Sequence, residues 1–362
     1  MSEAVPPTGK PPMSRRKRAG IISAVVGVAA AGVAAGVAAE RLVVRRGRRD
    51  DPFAEEPFGM LPYDETVHIE TADGLRLHIE VVDAVEPNDR PTLIFVHGFC
   101  LDQGTFHFQR QHLDALGTHR MVFYDQPGHG LSSSLNEGEY ELPALGDALA
   151  DVIKAVVPSG PIVLIGHSMG GMTIMAYAEQ YPEMFAERVS GVVLVATSGG
   201  AINGSHLFGL HPLVHRAAPS MLAVINTASK LSGNVVDRAR AASNDLAYLL
   251  TRRYGFGSPR PSPSLVSFVE RMNSRTSTAT VARYLRTLFS HARYPALRAL
   301  EAKPVLLIAG EKDLVTPSTH SAEIARLLPH ATYVTFPDSG HMVMLECAER
   351  VNAVLDDFLS QF

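Results

Sequence analysis

Between residues 161 and 171 the chain reads Pro161-Ile162-Val163-Leu164-Ile165-Gly166-His167-Ser168-Met169-Gly170-Gly171. Four apolar residues in a row, three of them β-branched, suit a short strand covered on both faces. Gly166 and Gly170 then frame Ser168, and helical periodicity follows over Met172–Tyr181. A strand, a glycine-framed serine and a helix together form a nucleophile elbow. The turn is tight enough to need glycine two residues before and after the serine, and it lifts the hydroxyl clear of the sheet. The G-x-S-x-G spacing alone recurs by chance in roughly one chain in ten of this length. Its place between strand and helix is what separates it from a glycine-rich turn with an incidental serine.

Outward from the elbow, short apolar runs bounded by Gly and Pro recur at Thr92–Val96, Met121–Tyr124, Val192–Val195, Val305–Ala309 and Thr332–Phe336. Helical patterns lie between most of them, over 106–116, 142–157, 171–181, 318–328 and 346–361. This alternation predicts a doubly wound, mostly parallel α/β sheet. Upstream, Val67–Ile69 and Leu75–Val82 flank Asp73-Gly74, a hairpin signal. One interval breaks the rhythm: about 100 residues separate the runs ending near Ala196 and starting at Val305. Its periodicity is helical, as in Met221–Leu231 and Val281–Phe289. Residues 199–293 are therefore expected to form a helical cap over the C-terminal edge of the sheet, where α/β proteins bind ligands.

A serine hydroxyl needs a base to take its proton, and a histidine base needs a carboxylate to fix its tautomer. In elbow enzymes these follow in the order Ser, Asp or Glu, His. Asp313 lies just past the run Val305–Ala309 and His341 just past Thr332–Phe336, so both belong at the same sheet edge as Ser168. Asp338 and Glu311 are the competing acids; Asp338, three residues before His341, reads better as shaping its loop.

The stretches HGF at 97–99, DQPGHGLS at 125–132, GHSMGG at 166–171, GEKDLVTP at 310–317 and DSGHMVMLE at 338–346 resemble the α/β-hydrolase fold family. The resemblance covers about residues 66–362 and points to the serine esterase, lipase and perhydrolase-like branch. Branches with an aspartate nucleophile are disfavoured by Ser168. An arginine is common in the family at the position of Gln126 or Pro127, a departure that touches loop packing more than chemistry. The resemblance implies an oxyanion hole made by the backbone N–H groups of Met169 and Phe99. His97 and His129 read as turn residues, and Cys100 beside the oxyanion loop reads as a buried thiol. The expected reaction is ester hydrolysis through an acyl-enzyme on Ser168, with Asp313 orienting His341. Perhydrolysis and thioester or amide hydrolysis by the same triad remain open, and a non-catalytic ligand-binding protein of this fold is a distant alternative.

Neither G-x-G-x-x-G after the first strand nor a phosphate-binding G-x-x-x-x-G-K-[ST] occurs, and no histidine cluster combines metal-ligand spacing with a nearby set of carboxylates. No cofactor, metal or nucleic-acid partner is expected. In the cap, Phe208, Leu210, Leu213, Met221, Leu222, Val224, Phe256, Leu265 and Phe268 are candidates to pack it or to line a pocket for an apolar ester.

The 362 residues carry a net charge of -4, spread unevenly. Residues 1–50 are net +7 and residues 199–293 net +9, so the rest is strongly acidic. The cap charge suits an anionic surface or an acidic substrate, or is simply a solvated helical face. Two cysteines, Cys100 and Cys347, exclude a disulfide scaffold. Residues 1–18 read as a disordered basic N-terminus. Residues 19–39 form a charge-free run of 21 residues, long enough to cross a bilayer core of about 30 Å as a helix. Such an apolar helix is expected as a single-pass membrane anchor, or as an export signal cleaved after Val37-x-Ala39, or as an interfacial helix. Gly32 and Gly36 form a G-x-x-x-G pair through which two such helices could self-associate. Residues 40–65 read as a polar linker into a core made of 66–198 and 294–362.

Overall fold

The computed structural model describes residues 51–72, 74–135, 140–202 and 247–362. The expected basic terminus 1–18, the apolar run 19–39 with Gly32 and Gly36, and the stretch 203–246 of the cap lie outside the described residues. Among the described residues no helix is long and apolar enough to cross a membrane.

Eight strands form one sheet: β1 Glu65–Glu70, β2 Arg76–Val82, β3 Thr92–Val96, β4 Met121–Tyr124, β5 Ile162–His167, β6 Val189–Val195, β7 Val305–Gly310 and β8 Thr332–Phe336. Their order is β1-β2-β4-β3-β5-β6-β7-β8. The β1–β2 and β2–β4 pairs are antiparallel and every other pair is parallel. The strands β3, β4, β5 and β7 are buried almost end to end, which is why they read as unbroken apolar runs rather than alternating ones.

The pleat sends alternate residues to opposite faces. Ile94, Leu164 and Leu307 pack on one side with Leu149 and Ile153 of α2 (Leu142–Val156) and with Ile174 and Tyr177 of α3 (Met169–Gln180). Leu93, Phe95, Val163 and Leu306 pack on the other with Phe108 and Leu113 of α1 (His107–Leu116) and with Leu355 and Phe358 of the last helix (Ala348–Leu359). The antiparallel pair β1–β2 at one end of the sheet is the hairpin expected at Asp73-Gly74, of which Asp73 lies outside the described residues.

Three details differ from expectation. The helix after Ser168 begins at Met169, with Ser168 at its N-terminal boundary and no side-chain capping bond from it. The helical pattern over 346–361 is split into Val343–Glu346 and Ala348–Leu359, with Cys347 non-helical between them. Finally, the second half of the expected linker 40–65 belongs to the folded body. The Phe58 ring stacks on Phe268 at 4.5 Å between centroids and meets Phe108 edge-on. His107 Nε2 lies 2.7 Å from a Glu56 carboxylate oxygen, and the Arg110 guanidinium donates to the Pro62 carbonyl. A segment poor in regular structure is thus held by aromatic packing that its own composition does not announce.

The described part of the cap is helical. Pro263–Arg275 starts on Ser262, whose hydroxyl accepts from Leu265 N–H, and Thr278–Leu288 starts on Ser277, which accepts from Thr280 N–H. Of the residues expected to pack the cap or to line a pocket, Phe256, Leu265 and Phe268 are buried in a core cluster. Tyr284 donates its hydroxyl to Pro127 O at 2.9 Å, fastening this helix over the loop after β4.

Candidate active site

Ser168 stands at the end of β5 with φ 52° and ψ -117°, a left-handed conformation that costs a non-glycine residue energy. The surroundings enforce it. Ser168 N–H donates to Val195 O, and its carbonyl accepts from Thr197 Oγ1 at 2.6 Å and Gly171 N–H at 3.0 Å. The flanking glycines are required by close approach: a Cβ on Gly170 would collide with the Val96 carbonyl oxygen, and one on Gly166 would lie 2.7 Å from the Gly171 nitrogen.

Asp313 and His341 meet, although 28 residues separate them. Asp313 Oδ2 accepts from His341 Nδ1 at 2.8 Å, and the Asp313 side chain is fully buried. Asp313 Oδ1 accepts two further N–H groups, from Val315 at 2.7 Å and Thr316 at 2.9 Å. The competing acids are elsewhere: Asp338 is exposed and pairs with Lys312 at 2.9 Å, and Glu311 accepts from Thr335 Oγ1. Lys312 draws the Asp338 carboxyl below its usual range, which fits a permanent surface ion pair.

The elbow and the histidine loop are brought together by His167. Its Nε2 lies 3.1 Å from the His341 carbonyl oxygen, and the two rings are 4.7 Å apart between centroids. Burial holds the His167 imidazole well below its ordinary pKa, so it is neutral. Among the described residues no hydrogen bond reaches Ser168 Oγ; such contacts commonly tighten only around substrate.

The loop after β3 lies directly on the elbow, since a Cβ on Gly98 would stand 2.8 Å from His167 Nδ1 and 3.1 Å from Ser168 Cβ. Met169 opens α3, so its N–H is one of those at a helix start without an intrahelical acceptor. Phe99 follows Gly98, with its ring edge-on to His129 and Tyr284. His97 shapes the turn through both nitrogens. Its Nε2 accepts from Gln126 N–H at 2.8 Å, which leaves Nδ1 to donate to Gly98 O at 2.8 Å. Burial lowers His97 to about 3 and keeps it neutral. The Gln126 amide completes the set, donating to His97 O at 2.6 Å and accepting from Thr173 Oγ1 at 2.8 Å. The departure from an arginine here is therefore a buried link between the turn and α3. Burial pushes the Cys100 thiol up to about 12, so it is no thiolate.

Sequence reasoning passed over Thr316, Gln126 and His167 as members of this site. Each stands inside or next to a quoted motif. Their roles depend on contacts between segments far apart in the chain, which spacing does not reveal. Among the described residues no group of three His, Cys, Asp or Glu side chains is arranged to hold a metal ion.

The profile of the alpha/beta hydrolase fold family matches residues 91–348, and the chain belongs to that family. It is 28% identical to the mouse sn-1-specific diacylglycerol lipase ABHD11 over 257 residues, 70% of this chain and 76% of that protein. It is 29% identical over 281 residues to the dihydrolipoyllysine-residue acetyltransferase component of an acetoin cleaving system from Pseudomonas putida, spanning 74% of this chain and 63% of that protein. The esterase EaEST from Exiguobacterium antarcticum superposes with a TM-score of 0.62 at 17% identity, covering 82% of this chain and all of that one, a likeness of fold.

Proposed function

We propose that this hydrolase-family chain cleaves carboxylic esters through an acyl-enzyme on Ser168. The observation that carries the reading is the buried Asp313–His341 hydrogen bond, set at the same sheet edge as a serine in a strained elbow. In this reading His341 Nε2 takes the Ser168 proton as the oxygen attacks the ester carbonyl. Asp313 holds Nδ1–H and so leaves Nε2 free to act as base. The backbone N–H groups of Met169 and Phe99 receive the negative charge that forms on the carbonyl oxygen. The protonated His341 then gives its proton to the leaving alcohol, and the neutral ring activates the water that releases the acid. The chemistry requires no cofactor.

Two relatives named for a lipase and an acyltransferase component support acyl transfer as the reaction class, and the esterase fold neighbour is consistent with it. An apolar ester is the substrate class proposed. A fluorophosphonate probe together with p-nitrophenyl esters of increasing chain length tests the reading. Labelling confined to Ser168 and turnover that varies with acyl length are expected; an unlabelled, inactive protein would leave the fold as a binding scaffold.

The charge-free run 19–39 supports a further part of the proposal, a membrane tether, on sequence grounds alone. Full-length protein should then resist carbonate extraction from membranes. A mature N-terminus near Glu40 would mark an export signal instead.

A further inference from the structure

Asp313 Oδ2 has a second neighbour besides the imidazole. Thr316 Oγ1 lies 2.9 Å from that oxygen, 3.2 Å from His341 Nδ1 and 2.7 Å from the carbonyl oxygen of Ala196. Ala196 is the residue that follows β6 and has φ 46°, and its own N–H donates to Ile308 O of β7. One hydroxyl therefore touches the acid, the base and the strained end of the neighbouring strand. It is buried, so no solvent competes for it.

A hydroxyl carries one proton, and here two acceptors lie within reach of it. The Asp313 oxygen bears formal charge and Ala196 O only a partial one, so the carboxylate takes the proton when His341 is neutral. When His341 becomes an imidazolium its Nδ1–H draws more strongly on Oδ2, and the hydroxyl can turn to Ala196 O without leaving the carboxylate short of donors. In both settings Oγ1 stays in place, tied on one side to the strand end and on the other to the acid–base pair.

We propose that Thr316 is a positioning residue for the Asp313–His341 pair: its hydroxyl anchors the carboxylate to the end of β6 and shares the hydrogen bonding of Oδ2 as His341 gains and loses its proton. The proposal rests on the reading of Ser168, Asp313 and His341 as the hydrolytic groups. It goes beyond that reading by assigning a fourth side chain to the set. The other groups facing the pair are fixed in charge or turned away. His167 on β5 is neutral, and Glu346 on the helix after His341 spends its carboxylate on the N–H groups of Gly257, Ser258 and Gly340. The Lys312–Asp338 pair is at the surface.

The test is kinetic. Thr316→Val keeps the shape and the backbone N–H that Asp313 Oδ1 accepts, and removes the hydroxyl alone. A hydrogen bond to a charged group is worth about ten- to hundredfold in a rate when the charge must be held in the transition state. The expected result is a fall of that size in kcat with KM nearly unchanged, and recovery of most of it in Thr316→Ser. The acid limb of the kcat/KM profile should also move to higher pH, because the carboxylate relieved of one donor turns more of its charge on the imidazolium. If the valine variant does not fold, Thr316→Ala against Thr316→Ser decides, since both lose the methyl and only alanine loses the hydroxyl. Equal losses in alanine and serine, or a valine variant with wild-type kcat and an unmoved limb, would refute the role of Thr316 while a crippled Asp313→Asn still upheld the acid. A mild Asp313→Asn would instead remove the premise.

Discussion

His167 Nε2 lies 3.1 Å from the backbone oxygen of His341, so the residue before the elbow serine is bonded to the residue that carries the base. Ser168 and His341 come from β5 and from the loop after β8, three places apart in the sheet. A direct bond from the neighbour of Ser168 to the His341 backbone ties the two loops across that separation. The bond needs the Nε2–H tautomer of His167, and burial supplies the condition by keeping the ring neutral. With the proton on Nε2, Nδ1 faces the Cα of Gly98, where it has no partner among the described residues.

His167→Phe should therefore keep the packed ring and lose the bond. Turnover should fall about tenfold, with thermal stability within a few degrees of wild type because an orphaned buried nitrogen is removed along with the bond. Steady-state kinetics beside a melting curve checks this; unchanged kcat would mean that the sheet by itself sets the distance.

Asp313→Asn should lower kcat by about four orders of magnitude, since an amide presents His341 in the wrong tautomer. Asp338→Asn should be near wild type, because that carboxylate sits at the surface with Lys312. Paired kinetics on one p-nitrophenyl ester distinguishes the two. A crippled Asp338→Asn beside a mild Asp313→Asn would reverse the choice of acid.

The sheet, the elbow and the order of Ser168, Asp313 and His341 were legible in the sequence because each depends on local pattern. Buried strands show as apolar runs, the elbow as glycines flanking a serine, and the two partners as polar residues just past strand ends. Thr316, Gln126 and Glu346 were not legible as working parts, though all three fall within recognisable motifs. Their function lies in bonds to Ala196, His97 and Gly257, and no local periodicity encodes a side chain reaching a backbone atom 29 to 120 residues away. The strap around Phe58 was misread as linker for a similar reason: scattered aromatics among Pro and Glu look solvated until the partners Phe108 and Phe268 are placed.

Stability should fall as the medium turns acidic. Burial lowers His97 to about 3 and His129 and His291 to about 4. Their unfolded forms take up protons near 6.5, so below that value the unfolded chain binds protons that the folded chain refuses. Each such histidine then costs stability, on the order of 1 kcal/mol per pH unit, until its folded pKa is reached. Asp125 opposes this: burial and the Asp102 carboxylate raise it to about 7, so the folded state gains a proton there before the unfolded one does. Burial also lowers His107, His119 and His167 and raises Asp102, Glu270 and Glu346, so six histidines against four acids leave a net loss between about pH 6.5 and 4. Urea midpoints should drop steadily from pH 7 to pH 5, and His291→Phe, which removes a ring with both nitrogens unpartnered among the described residues, should flatten that drop. A midpoint that rises on acidification would contradict the assignment.

Phe58 stacks on Phe268 of the cap and meets Phe108 of α1, while Glu56 and Pro62 engage His107 and Arg110 of the same helix. Asp64 N–H then donates to Val81 O and leads the chain into β1. These contacts join residues 53–64 to a core helix and to the cap at once, so removing them exposes apolar surface on both. Deleting residues 1–50 should leave the melting temperature and ester turnover of the remaining chain unchanged. Deleting residues 1–64 should destabilise it severely, because the rings of Phe53 and Phe58 and the Arg110 contact leave together. Phe58→Ala alone should cost about 2 kcal/mol, below the roughly 3–5 kcal/mol of a fully buried aromatic, since this ring is only half-buried. Differential scanning calorimetry on the three proteins reads the effect directly. Equal stability of the two truncations would return the segment to the role of a passive linker, and a loss already complete at residue 50 would place the essential contacts before Phe53.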